Sequence, residues 1–295
     1  MKEAKSKKLY RLLSVALGLL VFMGALLISC MIADAVVERS ARETPSYAKA
    51  DISALADKEE DWTDEEIDTL YRQTGLGKTA LLKMKSERVY ENEQLTPLSE
   101  RLQPFQDALF YTGKMEHERV ADISNRDLMK NFFAPVAPVL EPGDIFVNSS
   151  THTLGFRNGH AAIVLNEYGD AVESLEFGVK SAVSKRKDQW FSKSSNFMIL
   201  RLKNVDAATR EQIVLEAEKN LLGVRYSLAV GIFSKKDQGT HMRHTHCSHL
   251  VWQAYKNAGY DIDYNGGLVV TPRDIARSPL FEIIQVYGFD PDKLW

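Results

Sequence analysis

Cysteine is nearly absent from this chain. Two occur in 295 residues, Cys30 and Cys247, and Cys30 lies in an apolar N-terminal stretch. The rest of the protein holds one thiol, which excludes an internal disulfide. An excess of one charge is missing as well. The net charge of −3 gives no basic surplus to neutralise a phosphate backbone, so nucleic acid is not an expected partner. Polar low-complexity composition is lacking too. The hydrophobic fraction of 44% is ordinary for a globular core and excludes wholesale disorder. A chain of 295 residues allows about two domains.

What is there begins with an anchor. Lys2, Lys5, Lys7, Lys8 and Arg11 precede an uncharged run over 12–33, long enough to match the hydrocarbon thickness of a bilayer. The far flank, with Asp34, Glu38, Arg39, Arg42 and Glu43, is less basic. The positive-inside rule then places residues 1–11 in the cytoplasm and everything after Ala33 outside. A cleaved signal peptide has a shorter core. A rival reading is lipid attachment, since Leu27-Ile28-Ser29-Cys30 resembles a bacterial lipobox. Met31-Ile32-Ala33 remain apolar beyond that cysteine.

Residues 34–134 read as a stalk and a small helical domain. Thr63-Asp64-Glu65-Glu66 forms a capping-box pattern. Ile67, Leu70 and Tyr71 follow at helical spacing, and Gly75 and Gly77 supply stop signals. Segments 78–92 and 98–130 continue in helical style, with breaks expected near Pro97 and Pro104.

The Pro-rich segment 135–142 marks the start of a second unit, 135–295, of α+β character. Strands are expected over 144–148, 159–165, 171–177, 196–203 and 281–287, the second and third forming a hairpin. Helices are expected over 207–222, N-capped by Asp206, and over 248–258.

Cys247 sits where a polar, histidine-rich loop meets the second of these helices. It continues the apolar stripe Leu250, Val251, Ala254, Tyr255, Ala258 backward by one turn. A helix N-terminus favours a thiolate through its dipole and free N–H groups. The same groups can hold an oxyanion. The bland alternative is a small buried hydrophobe. His160 opens an apolar strand and is the candidate base, although a histidine there is more often a satisfied core residue. Glu173 on the next strand reaches the same face if the turn sets the register, and Glu176 is its rival.

Gly223-x-x-Tyr226 followed by Cys247-Ser248-x-Leu250-Val251 resembles the nucleophile segment of NlpC-type papain-like cysteine hydrolases. Pro142-Gly143-Asp144 and Gly159-His160 precede the cysteine here. The order is that of the circularly permuted branch, the YiiX- and YycO-like proteins. The resemblance covers about residues 139–290. It implies a papain-like antiparallel sheet packed on helices, with Cys247 as nucleophile, His160 as base and Glu173 as the third polar member. Tyr226, Ser248 and His246 are implied in substrate contact. Where ordinary members often carry Asp before the cysteine and Gly two after it, this chain has His246 and His249. The implied reaction is amide hydrolysis, with cell-wall peptides as substrate. Lipid acyl chemistry and a catalytically silent binding module are the alternatives.

No cofactor is expected. His241, His244, His246, Cys247 and His249 offer zinc-type ligands, but their spacing fits no structural zinc pattern and a metal there would occupy the nucleophile. Lys235, Lys236 and Arg243 add positive charge nearby, either to draw a carboxylate or phosphate or as a solvated loop.

Overall fold

The structure, a computed structural model, describes residues 2–37, 42–118, 124–125, 128–153, 156–185 and 192–295. Glu38 and Arg39 of the expected basic-poor flank lie outside these, as do residues 119–123 and 126–127 of the expected helical stretch. Helix α1 runs Lys2–Val37. Its stretch Ser6–Ile32, 27 residues of mean hydropathy 2.6, is long and apolar enough to cross a membrane, and none of its hydrophobic window is buried against protein. An uncovered helix of that length is costly in water and cheap in lipid.

The architecture beyond it is mixed, with a six-stranded antiparallel sheet at its centre. The strands are β1 (Ile145–Asn148), β2 (His160–Val164), β3 (Ala171–Glu173), β4 (Ala182–Ser184), β5 (Phe197–Leu202) and β6 (Phe281–Tyr287), in spatial order β4-β3-β2-β1-β5-β6. Helices cover both faces, so the inner strands are buried throughout rather than alternating with solvent. Side chains of one parity, including Phe146, Ala162, Val164 and Ile199, pack on α2 (Ser53–Ala56), α3 (Asp64–Thr74), α4 (Lys78–Ser86) and α5 (Leu98–Leu109). The other parity, including Val147, Ala161, Ile163 and Leu200, packs on α6 (Ala207–Asn220), α7 (Cys247–Asn257) and α8 (Pro272–Ala276).

Helices α2 to α5, in the segment expected as a stalk and small domain, share one buried core with this face of the sheet. Gly75 and Gly77 make the join. The Val286 amide donates to Gly75 O at 2.7 Å and the Gly77 amide to Ile284 O at 2.9 Å. A Cβ at Gly77 would stand 1.7 Å from Ile283 O, so only glycine lets the chain lie against the sheet edge.

Local signals hold in detail at several ends. Thr63 and Glu66 form the reciprocal capping box of α3, and Gly75 is left-handed at its C-cap. Asp206 accepts from the Thr209 amide at 2.8 Å. Four segments differ from expectation. The stretch expected as helical to 130 ends its helix at Leu109, and His117–Glu118 pairs with Leu128–Met129 as strands. The strand expected over 171–177 ends at Glu173. Helix α4 stops at Ser86, and Tyr90–Glu91 pairs with Gln94–Leu95 around Asn92 and Glu93, both at positive φ. Helix α5 runs through Pro104 instead of breaking there. Burial of Leu102, Phe105, Ala108 and Leu109 on either side of the proline offsets the one backbone hydrogen bond it forgoes.

A buried ion cluster ties β1 to β5. Arg201, the single charge in the otherwise apolar strand FMILRL, donates from Nε to Asp144 Oδ1 and from Nη2 to Asp144 Oδ2, both at 2.7 Å. Its Nη1 lies 3.0 Å from Glu141 Oε1, and Arg210 Nη2 lies 2.6 Å from Glu141 Oε2. Tyr255 of α7 donates to Gly143 O. The Pro142-Gly143-Asp144 motif is therefore a structural clasp.

Candidate active site

Cys247 is the first residue of α7, and it is 4% exposed. His246 precedes it as the N-cap, its Nδ1 accepting from the His249 amide at 3.4 Å. The amides of Cys247 and Ser248 lie in the first turn, where no intrahelical acceptor exists. The sulfur therefore sits among N–H groups at the positive end of the helix dipole.

His160 and Glu173 come from neighbouring strands. The hairpin pairs Ala171 with Val164 and Val172 with Ile163. Continuing that register sets Glu173 beside Ala162, one pleat repeat from His160. Glu173 Oε2 lies 2.9 Å from His160 Nε2, with both side chains 3% exposed. Cys247 interacts with the same imidazole through charge and a side-chain hydrogen bond. Glu176 lies three residues beyond the end of β3, half-buried. Of the two carboxylates, Glu173 is the one that lies within hydrogen-bond distance of His160.

The electrostatics follow from burial and pairing. Burial alone would push the Cys247 thiol up. The His160 charge and hydrogen bond, with a smaller contribution from neighbouring His246, outweigh it and hold the thiol well below its ordinary value. Burial alone would push His160 down. The Cys247 thiolate and then Glu173 outweigh that, and His160 is pushed up to about 9. The two shifts run in opposite directions, and each favours the charged form of the pair.

The three remaining sequence-derived positions lie close by. Tyr226, 8% exposed, stacks edge-on to Phe177 at 5.0 Å. Burial raises its hydroxyl pKa, and the neighbouring Cys247 thiolate raises it further. Ser248 donates to Val270 O at 2.9 Å, which fixes the α7 N-terminus to the segment before α8. His246 Nδ1 accepts from the cap amide, which leaves Nε2 as the ring nitrogen free to donate. That Nε2 is buried without a hydrogen-bond partner, and His246 lines the same cavity as Cys247.

The other loop histidines separate from the site. His249 joins α7 to the loop through Lys236 O at 2.7 Å and Thr245 Oγ1 at 3.0 Å, and burial pushes it down to about 4. His241 is exposed and His244 half-buried. Among the described residues no three His, Cys, Asp or Glu side chains are placed to hold a metal ion.

Cys247 lines a cavity of about 310 Å³. Leu228, Val269, Val270, Pro272 and Trp295 give it an apolar wall, and Arg157 and Arg273 add positive charge. Sequence reasoning missed this wall. One signal was present: Thr271-Pro272-x-Asp274 is a capping box with proline at the first helical position, and the structure forms it as the start of α8. Trp295 comes from the far end of the chain and carried no local signal.

No family model matches the chain, and no curated protein matches it. Among solved structures, it is similar to the crystal structure of metalloprotein YiiX from Escherichia coli O157:H7, described as DUF1105. Identity is 14%, the TM-score is 0.37, and the match covers 49% of this chain and 96% of that one. A likeness at this level leaves the function to the residues of the site.

Proposed function

We propose that this chain is a membrane-anchored cysteine hydrolase of the circularly permuted papain-like type, with Cys247 as nucleophile, His160 as acid–base and Glu173 orienting the imidazole. The observation that carries this reading is the buried Cys247–His160–Glu173 relay at a helix N-terminus. The thiolate attacks a carbonyl carbon, and the tetrahedral oxyanion forms beside the first-turn amides of α7 and His246 Nε2–H. The His160 imidazolium then gives its proton to the leaving group, and the carbon–heteroatom bond breaks. Water, deprotonated by His160, attacks the thioester carbonyl, and the carbon–sulfur bond breaks to release the acid and restore the Cys247 thiolate beside the His160 imidazolium. Glu173 fixes the ring tautomer and supports its positive charge.

The substrate reading is an amide bond in cell-wall peptides, on the outer face of the membrane that α1 spans with its N-terminus in the cytoplasm. Lipid attachment at Cys30 would place the domain on the same face. The apolar wall of Leu228, Val269, Val270, Pro272 and Trp295 favours a second substrate class, an acyl ester or amide carried by a lipid. Full-length protein incubated separately with cell-wall fragments and with phospholipid vesicles, with products read by mass spectrometry, decides between them. Cys247→Ser is the control. Absence of Cys247-dependent products from both substrates, together with iodoacetamide labelling of Cys247 near pH 6 no faster than an ordinary thiol, would overturn the hydrolase reading.

A further inference from the structure

The loops that wall the Cys247 cavity end in bare hydrophobic tips. Residues 229–234 close a tight turn, in which the Ile232 and Phe233 amides donate to Ala229 O at 3.1 and 2.9 Å and the Gly231 amide to Ser234 O at 3.1 Å. This turn lifts Ile232 and Phe233 into solvent, Phe233 to 89% exposure. Leu268, on the neighbouring loop, is 72% exposed. The two loops are locked together. A Cβ at Gly231 would stand 1.7 Å from Leu268 O. Lys236 Nζ lies 2.8 Å from Gly267 O and is also paired with Asp263. Leu228 and Val269, close in sequence to these tips, face the cavity that holds Cys247. The tips are therefore a fixed apolar ridge on the rim of the candidate active site. Lys235 and Arg273, both exposed, flank it with positive charge.

Exposed hydrophobics scattered singly need no explanation, but a ridge beside a pocket does. The chain itself indicates what covers it. The folded domain takes hold at Arg42, which donates to Ala108 O at 2.6 Å, and at Glu43, whose amide donates to Gly288 O at 2.9 Å. The apolar stretch of α1 ends at Ile32. Ten residue steps separate Ile32 from Arg42, and fully extended they reach at most about 35 Å. That is about one hydrocarbon thickness. A domain tethered so closely to a bilayer has a lipid surface as its permanent neighbour. Aromatic and aliphatic tips flanked by cations suit the boundary between acyl chains and anionic headgroups.

We propose that Ile232, Phe233 and Leu268 insert into the leaflet next to which α1 holds the domain, which brings the mouth of the Cys247 cavity onto the lipid surface. The proposal rests on the membrane-anchor reading of α1, and it narrows the substrate of the site to one presented by the membrane. The test uses the full-length chain with Cys30→Ser and Cys247→Ser, carrying one nitroxide label through Phe233→Cys, Leu268→Cys or, as a control, Leu215→Cys. Leu215 is 63% exposed on α6. Each protein is reconstituted into phosphatidylcholine vesicles containing a minor fraction of phosphatidylglycerol. Collision of the label with oxygen and with a water-soluble nickel chelate is then measured by electron paramagnetic resonance. At 233 and 268 oxygen should win several-fold over the chelate, and at 215 the chelate should win. Three water-exposed labels on protein that floats with the vesicles overturn the docking and leave the anchor standing. Protein that fails to float overturns both. Dipolar broadening between labels at 233, without protection from the chelate, assigns the ridge to a second copy of the chain and also overturns lipid docking.

Discussion

Two clusters of charge lie on the same sheet, each centred on buried groups, and they are built to opposite ends. In the Arg201 clasp every carboxylate oxygen is engaged. Asp144 Oδ1 and Oδ2 take the Arg201 fork, and Glu141 Oε1 and Oε2 take Arg201 and Arg210. In the Cys247 cluster the pairing is incomplete. Glu173 Oε1 and His246 Nε2 are buried without partners, and Cys247 lines a cavity. Burial and shifted titration therefore do not by themselves distinguish a site from a brace. Unspent hydrogen-bonding capacity next to access does.

The sharpest way to break this contrast is to remove the sulfur. Cys247→Ser should lower turnover about 10⁴-fold or more, as loss of a nucleophile does elsewhere. The change is nearly isosteric, so the thermal midpoint should move little. A variant that retains wild-type turnover would place the chemistry elsewhere.

The clasp should respond in the opposite way. Arg201→Ala leaves the Asp144 carboxylate buried with its main partner gone, and should cost about 3–5 kcal/mol in denaturant unfolding. Arg201→Met combined with Asp144→Leu removes both charges at similar volume and should recover much of that loss. If the double variant is as unstable as the single one, the clasp acts through shape rather than charge pairing.

These two regions were unequally legible in the sequence. Cys247 announces itself, because it is the one thiol beyond the apolar run and it continues a helical stripe. The caps at Thr63 and Asp206 are equally local and fold as their residues dictate. Arg201 gave a signal that went unused, since a single charge in a six-residue apolar strand demands a buried partner. The choice between Glu173 and Glu176 depends on strand register, which the hairpin fixes through pairs such as Val172 and Ile163 and no local pattern reveals. The contribution of the 34–134 region as one face of the core was hidden for the same reason. Its helices are amphipathic whether they bury that face against one another or against a sheet. Pocket walls assembled from Leu228, Pro272 and Trp295 depend on contacts between distant segments and have no sequence pattern to find.

His246 separates capping from chemistry. Asparagine reproduces the acceptor near Nδ1 and keeps the cap, but it does not reach the Nε2 position. Glutamine reaches the Nε2 position with an amide donor and caps poorly. His246→Asn should therefore lower kcat about 10²–10³-fold with the helix intact, as loss of one oxyanion donor does. His246→Gln should keep more activity with a lower thermal midpoint. The reverse order of activities would mean that His246 contributes through the cap alone.

Glu173→Gln should produce the smallest change, and it is the most specific. His160 is pushed up to about 9 by the Cys247 thiolate and by Glu173, against burial. Proton donation to the leaving group needs the imidazolium, so activity falls as pH rises through that value. Removing the Glu173 charge withdraws one of the two supports. The His160 pKa then drops, and the alkaline limb of kcat should move to lower pH by about 1–3 units. The acid limb reports the Cys247 thiol and should stay nearly in place, because its main counter-charge is His160 and not Glu173. The active range therefore narrows from its alkaline side only. Stability carries the same sign. A histidine whose folded pKa lies above its unfolded 6.5 stabilises the fold fully below that pH and loses the contribution as pH rises through about 9. The gap in thermal midpoint between wild type and Glu173→Gln should accordingly be widest near pH 6 and close above pH 9. A carboxylate that merely fills space would lower amplitude or stability alike at every pH, and Glu176→Gln, half-buried beyond the strand end, should leave both limbs where they are. An alkaline limb unmoved in Glu173→Gln would remove Glu173 from the relay while leaving Cys247 and His160 in it.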